Sequence, residues 1–437
     1  MNNKSAFMDV FQEKLGTVAG KISNNLYVLA IRDAMLAYMP FTFIASIFLI
    51  VAFPPVQAVS DFITGIVGVE EAVWKAKLLY VNSVTLNISG LLVAISCSNS
   101  LATRLKVNNI QVVLTAVVSF LLLTPQISAE VGSVLEIAKI GSQAIFLAMI
   151  VSMLTAKLYQ FIDKKGLKIK MPDSVPPAVT APFEAIVPSF IIVAVFWVIR
   201  VLLEVFFSSS ALEVITLTLG IPLTHVGGSI AGVAITKIFE QLLWFFGIHG
   251  GSIRDAVFTP ILQVLEDENK NAVLAGGVPT NIISSSFMTH FAGIGVIGSV
   301  LAIVIAARSK RYKEMGKIAG VPYVFNIGEP SLFGIPLMLN PTYFFPFVFN
   351  NAICAIIAYV AFITNIVPIP TGLVQLPWTT PIVLSGYLVT GSLKGAALQL
   401  VLLVVTTVIW IPFIKIEDKK ILVEENGEPH KSEEGNN

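Results

Sequence analysis

The sequence contains little charge for its length. Of its 437 residues, 13% are charged and 55% are hydrophobic. An ordinary soluble domain has about 25% charged residues, so this chain lacks the charge to cover a water-exposed surface of the usual kind. Apolar runs of about 20 residues, the length that crosses a bilayer as a helix, recur along the chain. These features predict an all-α polytopic protein embedded in the lipid bilayer.

Cysteine and histidine are also scarce. Cys97 and Cys354 each lie in an apolar segment, far apart and without CxxC spacing, so we expect them to be buried packing residues. The four histidines show neither HExxH nor paired spacing. We therefore predict no metal site and no cofactor. No feature of the sequence points to nucleic acid as a partner.

The apolar segments predict about ten transmembrane helices. The clearest are centred on 30–53, 79–98, 109–128, 141–162, 183–207, 226–247, 282–307, 342–364 and 393–415. Lys and Arg cluster after the second and fourth of these spans and again at 308–317. Because basic loops stay in the cytoplasm, this distribution predicts that both termini are cytoplasmic.

The second half of the sequence is less regular than the first. Glycines interrupt 226–247, a weakly apolar stretch (251–265) leads into an acidic one (266–270), and 367–381 is rich in proline. Broken helices at membrane depth are tolerated only where they are buried in protein or line a wet cavity. We therefore expect re-entrant hairpins in this half, which would handle a ligand.

Three regions follow from this contrast. Residues 1–210 are predicted to form a five-span scaffold, preceded by an amphipathic helix within 1–25 that lies on the membrane surface. Residues 211–415 are predicted to form the ligand-binding domain. Residues 416–437 are highly charged, and we predict a disordered cytoplasmic tail.

The stretch NIGEPSLFGIPLMLNP, residues 326–341, holds a single carboxylate, Glu329, between two apolar segments. Its glycines and prolines prevent a continuous helix. An ionisable group inside a membrane is costly and is by default a functional-site hypothesis. The alternative, a solvated glutamate in a loop near the headgroups, remains open.

Other candidate residues surround short glycine- and proline-rich stretches. His249, in WFFGIHGGS, precedes Gly250, where the backbone can approach a ligand closely; the alternative is a histidine at a helix end. Trp244 and Trp378 provide flat platforms that suit a sugar ring, or belong to an interfacial aromatic belt. Neutral hydrogen-bond donors and acceptors follow in PTNIISSSFMTH, where the candidates are Asn281, Ser284 and Ser285. The alternative is that these small residues serve only to pack helices together. This set suits an uncharged, polyhydroxylated ligand.

Small residues dominate the second span, TLNISGLLVAISCSNSLATRL (85–105). Small side chains let helix backbones approach closely. We expect this segment to serve helix packing.

Together, FNIGEPSLFGIPLMLNP and GIHGG resemble the membrane component, IIC, of sugar phosphotransferase systems. The branch is the lactose/cellobiose/diacetylchitobiose family, and the Bacillus-type diacetylchitobiose permeases are the most similar. Every fixed position of the pattern NIxEPxxFGxPxxxNP is matched: Asn326, Ile327, Glu329, Pro330, Phe333, Gly334, Pro336, Asn340 and Pro341.

The resemblance implies a homodimer in a bacterial cell membrane. The first five spans would form the interface, and the remaining spans would carry a disaccharide inward by an elevator-type movement. The sugar 6-hydroxyl would receive phosphate from a cysteine of a cytoplasmic IIB protein, which IIA recharges. The catalytic residues would be Glu329 and His249. The sugar-binding residues would be Trp244, Gly250, Asn281, Ser284, Ser285, Asn326 and Trp378.

No soluble domain with a reactive cysteine follows the last predicted span, so we expect phosphorylation to require a separate IIB. A rival interpretation is a proton-coupled sugar carrier in which Glu329 and His249 relay the proton. The residue types do not discriminate among diacetylchitobiose, cellobiose and lactose.

Overall fold

Helices make up most of the chain, as the apolar segments predict. The computed structural model describes residues 20–21, 24–54, 56–129, 132–172, 175–328, 335 and 337–426. Glu329 lies outside these residues, and so does most of the amphipathic helix predicted within 1–25.

The described chain divides into two units. The N-terminal unit comprises Gly20–Gly227 and Ser252–Glu268, and the C-terminal unit comprises Gly228–Gly251 and the chain from Asn269 onward. The predicted division into a scaffold and a ligand-binding domain at residue 210 stays a prediction.

Within the described residues, the N-terminal unit contains nine α-helices and a hairpin. Their bounds are α1 (Leu26–Ala52), α2 (Gln57–Val67), α3 (Glu71–Ser83), α4 (Ser89–Leu105), α5 (Asn109–Leu123), β1 (Gln126–Ala129), β2 (Gly132–Leu135), α6 (Ile145–Lys164), α7 (Pro177–Phe207), α8 (Ala211–Ile215) and α9 (Ile221–Gly227). One π-helical stretch, Thr216–Gly220, joins α8 to α9.

The third predicted span, 109–128, is shorter than expected. The helix ends at Leu123, and Thr124 is extended with ψ 131°. Pro125 follows, and the residue before a proline is disfavoured in the helical region. The chain then forms an antiparallel hairpin in which Gln126 lies opposite Leu135.

Small residues bring α4 close to its neighbours. A methyl group on Gly90 would lie 2.6 Å from the carbonyl oxygen of Gly141. The Ser152 hydroxyl of α6 donates to the Ala94 carbonyl oxygen of α4 over 2.9 Å. Cys97, on the same helix, is fully buried and free. The packing interpretation of this segment is confirmed.

The C-terminal unit contains helices of very different lengths, from six residues to 33. The remaining helices are α10 (Ile230–Phe245), α11 (Gly250–Leu274), α12 (Ser285–His290), α13 (Gly298–Ala306), α14 (Lys310–Val324), α15 (Phe344–Ile363), α16 (Leu384–Thr390) and α17 (Leu393–Glu425). The middle of α11, Ser252–Glu268, belongs to the N-terminal unit.

Side chains satisfy the backbone where the chain breaks between α12 and α13. The Gly295 carbonyl oxygen accepts hydrogen bonds from Trp410 Nε1 at 2.9 Å and from Asn350 Nδ2 at 3.1 Å. The Gly295 amide donates to Asn351 Oδ1 over 2.7 Å. These contacts satisfy both backbone groups of Gly295, which allows this non-helical residue to be buried inside the protein.

Seven helical segments of the described chain are long and apolar enough to cross a membrane. They are Leu26–Ala52, Glu71–Leu105, Ile137–Lys164, Val179–Phe207, Ser285–Ala306, Pro341–Ile363 and Leu393–Glu425. Ala211–Gly227 and Ile230–Phe245 together would provide an eighth. The all-α membrane fold is confirmed, but the predicted number of ten crossings is not.

Two predictions about polar segments need correction. The stretches 251–265 and 266–270, expected to be broken chain, belong to the continuous helix α11. The predicted disordered tail begins as helix, because α17 continues to Glu425 and buries Asp418 and Ile421. Residues 427–437 lie outside the described part of the chain.

Candidate functional site

His249 lies at the corner between α10 and α11. Gly247 has φ 78°, a left-handed conformation that glycine adopts without steric cost, and this residue reverses the chain after α10. The His249 side chain is exposed, and its ring centroid lies 4.4 Å from that of Trp244. The structure therefore brings the predicted site residues Trp244 and His249 together and leaves the imidazole ring of His249 exposed.

Gly250 is buried at the start of α11. A methyl group there would overlap the carbonyl oxygen of Glu240 and lie 3.0 Å from its carbonyl carbon. On Gly251 a methyl group would lie 3.3 Å from His249 Cε1 and 3.8 Å from Glu240 Oε1. The two glycines thus let the start of α11 pack directly against α10, which fixes the corner that carries His249.

A buried ion pair lies one turn before this corner. Lys237 Nζ is 3.2 Å from Glu240 Oε2, and the two side chains are only 2% and 8% exposed. Burying charges is costly even when they are paired, and charged residues within membrane proteins mark functional sites by default. Neither Lys237 nor Glu240 is among the site residues predicted from the sequence. The available signal was TKIFEQ, which places opposite charges one helical turn apart in an apolar segment.

Asn326 begins the segment that contains Glu329. Its backbone is left-handed, with φ 60°. Its side-chain Nδ2 donates to the carbonyl oxygens of Trp378 at 2.8 Å and Thr380 at 2.7 Å. The Trp378 side chain is 49% exposed. The structure therefore joins two more of the predicted residues and leaves the indole accessible to a ligand.

The other end of the same segment reaches the His249 corner. The Leu339 amide donates to the Phe245 carbonyl oxygen over 3.0 Å, directly beside Trp244 in the chain. Ile335 and Leu337 are fully buried in the hydrophobic cluster that contains Phe245. Leu339, Leu337 and Ile335 of the second stretch thus contact the end of α10, which leads into the first stretch, 247–251.

The remaining predicted residues follow α11. Asn269 accepts hydrogen bonds from the Thr280 and Asn281 amides, and its Nδ2 donates to the Asn281 carbonyl at 2.7 Å and the Pro370 carbonyl at 3.1 Å. This buried amide connects the chain around Asn281 to the proline-rich stretch. Asn269 is not among the residues predicted from the sequence, because it lies in the acidic stretch 266–270 and not in a recognisable motif.

Ser284 and Ser285 play different parts. The Ser284 hydroxyl accepts from the Phe287 amide at 3.4 Å and caps α12. The Ser285 hydroxyl is buried and makes no hydrogen bond within the described residues. A buried hydroxyl without a partner is costly, so Ser285 is the more plausible ligand contact of the two.

Comparison with known proteins identifies the family. Residues 32–350 match the family model described as Phosphotransferase system, EIIC. The chain belongs to the EIIC family. This membership confirms the resemblance inferred from the two sequence stretches.

Similar EIIC proteins cover nearly the whole chain. The putative permease IIC component YwbA of Bacillus subtilis is 35% identical, over 97% of this chain and 98% of that protein. The cellobiose-specific EIIC component of Geobacillus stearothermophilus is 34% identical over 97% of each. The crystal structure of ChbC, the IIC component from the N,N'-diacetylchitobiose-specific phosphotransferase system, matches with a TM-score of 0.89 and 36% identity, covering 94% of this chain and 98% of that one.

The EIIC assignment makes this chain a membrane component of a phosphotransferase system. The roles of the individual site residues and the homodimer stay predictions.

Proposed function

We propose that the protein binds a β-linked disaccharide, diacetylchitobiose or cellobiose, and moves it inward with phosphorylation of its 6-hydroxyl. The hydrogen bond from the Leu339 amide to the Phe245 carbonyl oxygen supports this proposal, because it holds a residue of the pattern around Glu329 beside the end of α10 that leads to His249. The relatives named for cellobiose and diacetylchitobiose support the choice of sugar.

In this proposal, aromatic faces hold the sugar and polar groups orient it. The exposed Trp378 indole and the Trp244 ring beside His249 stack on the apolar faces of the sugar rings. Asn281, Ser284 and Ser285 provide neutral hydrogen-bonding groups, and Gly250 and Asn326 shape the backbone around them. None of these residues carries a charge, which suits an uncharged substrate.

The chemical step is a phosphoryl transfer, which depends on positioning and charge stabilisation more than on covalent help. The P–S bond of a phosphocysteine on IIB breaks as the sugar O6 forms a P–O bond, and the cysteine leaves as a thiolate. Glu329 accepts the proton of the 6-hydroxyl. His249 donates a hydrogen bond to the hydroxyl or to the incoming phosphoryl oxygens, and IIA restores the phosphate on IIB.

The movement would follow the elevator type that the resemblance implies. The first five spans form the interface of a homodimer, and the sugar-binding region crosses the membrane as a body. Both chain termini lie in the cytoplasm, where IIB docks near the basic segment 308–317.

The test is the chemical form of the sugar after transport. Membrane vesicles that hold this protein receive labelled diacetylchitobiose, phosphoenolpyruvate and the soluble phosphocarriers, with or without IIB. We expect sugar 6-phosphate only when IIB is present. Glu329→Gln should keep sugar binding and lose phosphorylation, whereas Glu136→Gln, which removes an exposed acid, should change neither.

A proton-coupled carrier is the second candidate. The buried pair of Lys237 and Glu240, one helical turn from Trp244, provides charged groups of the kind that relay protons with Glu329 and His249. Unmodified sugar inside the vesicles, lost when a protonophore is added, would establish this carrier and refute the phosphotransfer proposal.

A further inference from the structure

We propose that the last ten residues of α17, 416–425, are a positioning element that holds the described chain on both sides of Glu329, at the start of α14 and at 340–342. This inference rests on the proposed function, because it gives these residues a role in phosphoryl transfer. It concerns contacts that lie entirely within the C-terminal unit.

The first observation is the length of α17. Its 33 residues span about 50 Å at 1.5 Å per residue, whereas the hydrocarbon core of a bilayer is about 30 Å thick. The sequence of its end, IEDKKILVEE, is charged. This end therefore extends beyond the membrane as helix, although a charged terminal segment usually frays or unfolds.

Two carboxylates of this extension cap the start of α14. Asp418 is 3% exposed, and it accepts hydrogen bonds from the Arg308 amide at 2.7 Å, the Ser309 amide at 3.0 Å and the Ser309 hydroxyl at 2.6 Å. Glu425 accepts from the Lys310 amide at 3.0 Å and the Arg311 amide at 2.9 Å. The first amides of a helix have no partner within the helix, and negative charge is favoured there.

The same extension also holds the chain at 340–342, on the other side of Glu329. Glu417 Oε1 accepts from Asn340 Nδ2 at 3.2 Å, and Lys420 Nζ donates to Thr342 Oγ1 at 3.2 Å. Lys420 also lies 2.8 Å from Glu417 Oε2, so the two side chains form one connected contact. Asn340 is one of the fixed positions of the pattern around Glu329.

A tyrosine pair connects the two ends directly. The hydroxyl oxygens of Tyr312 in α14 and Tyr343 are 2.6 Å apart and buried. Burial raises the pKa of Tyr312 to about 12, so the hydroxyl keeps its proton and can share it with Tyr343. Residues 308–312 and 340–343 are thus held against one helix and against each other.

These contacts define what the extension does. The chain between Tyr312 and Asn340 leaves α14, turns at the left-handed Asn326 and includes Glu329. Its described flanks, 308–312 and 340–343, are both held by α17, and we infer that phosphoryl transfer depends on these contacts. A catalytic group that is misplaced by about 1 Å can lose on the order of 100-fold in rate. Asp418, Glu417, Glu425 and Lys420 are therefore positioning residues.

The test compares two variants that each remove one negative charge. Asp418→Asn removes the charge and one acceptor oxygen from the cap on α14, and Glu136→Gln removes an exposed acid that follows β2. In vesicles with IIB, we expect Asp418→Asn to lower kcat for sugar phosphorylation about 10- to 100-fold while KM stays within about threefold. Glu136→Gln should leave both constants unchanged.

Hydrogen exchange provides a readout that does not depend on transport. In the full-length protein, Asp418→Asn should speed the exchange of backbone amides in 308–312 and also in 326–328, which Asp418 does not touch. If exchange rises only at 308–312 and kcat is unchanged, Asp418 is merely a helix cap and the proposal is overturned. If wild-type protein makes no sugar phosphate but exchange still rises at 326–328, the proposed function fails and the positioning survives.

Lys420→Met is a milder variant that keeps the inference testable if the Asp418→Asn protein does not fold and accumulate. Lys420 is 45% exposed, so Lys420→Met should fold normally while it loses the contact with Thr342. Lys419→Met removes an exposed lysine from the same extension and is its matched control. We expect a loss of kcat of about threefold to tenfold for Lys420→Met alone, and equal rates for the two variants would refute the inference.

Discussion

The packing of Gly250 against α10 makes the sharpest prediction about the site. A methyl group on Gly250 would overlap the Glu240 carbonyl oxygen, well inside the contact distance of about 3.5 Å. Both partners are backbone, so no side-chain rotation relieves the clash. In Gly250→Ala, we expect the start of α11 to move away from α10 by about 1 Å.

The displacement should affect activity more than stability. Overpacking of this kind typically costs about 1–3 kcal/mol of unfolding free energy. His249 immediately precedes Gly250 and must move with it. Since a displacement of about 1 Å at a reacting group costs on the order of 100-fold in rate, we expect a loss of that size in sugar phosphorylation.

Other glycines of the same unit provide a graded control. A methyl group on Gly251 would lie 3.3 Å from the His249 ring, which can shift, so Gly251→Ala should cost about tenfold. At Gly320, a helical residue of α14, a methyl group meets nothing within 4 Å. Gly320→Ala should keep full activity and gain up to about 1 kcal/mol of stability, because alanine favours helix.

The assay measures phosphorylation rate and thermal unfolding of the purified variants in detergent. A Gly250→Ala protein with wild-type rate and wild-type melting would show that the close approach of the two helices does not matter. Equal losses in Gly250→Ala and Gly320→Ala would show that glycine flexibility, and not the space available, limits the rate.

Three further predictions concern buried polar contacts. Lys237→Met should destabilise the protein by about 3–5 kcal/mol, since it leaves the Glu240 charge buried. The double variant, Lys237→Met with Glu240→Gln, should lose less unfolding free energy than Lys237→Met alone. Thermal unfolding of the two variants and the wild type measures the difference. Asn326→Asp should reduce sugar affinity at least tenfold, because a carboxylate would face the two backbone carbonyls that Asn326 now binds. Asn326→Gly should reduce the affinity less. Calorimetry with the disaccharide measures both affinities. Gln399→Leu should lower the unfolding free energy by about 2–5 kcal/mol, because the buried Gly386 amide, the buried His290 carbonyl and the partly buried Val383 amide lose this partner. An unchanged melting temperature would contradict this.

Much of the fold was predictable from local physics. A run of about 20 apolar residues must hydrogen-bond its own backbone in lipid, so it forms a helix whatever surrounds it. The long helices α1, α6, α7, α15 and α17 follow from that rule. The segment around Glu329 was also recognisable, because the spacing of its prolines and glycines is visible without a structure.

Other features depend on residues far apart in the chain. Hydropathy indicates whether a segment avoids water, but it does not distinguish a buried polar helix from a loop. The stretch 266–270 therefore resembled a loop, although α11 buries Asn269 and uses it to bind the chain near Asn281. The burial of Lys237 beside Glu240 was hidden for the same reason.

The end of α17 shows this limit most clearly. Taken alone, IEDKKILVEE has too much charge to form a core, and its sequence predicts disorder. The amides of Ser309 and its neighbours, more than 100 positions earlier, provide the partners that make helix favourable there. Composition and local spacing are enough to recognise the membrane fold and the family. The burial of particular charges, and the segments that meet at the candidate site, depend on partners far away in the chain, so they become visible only in the folded structure.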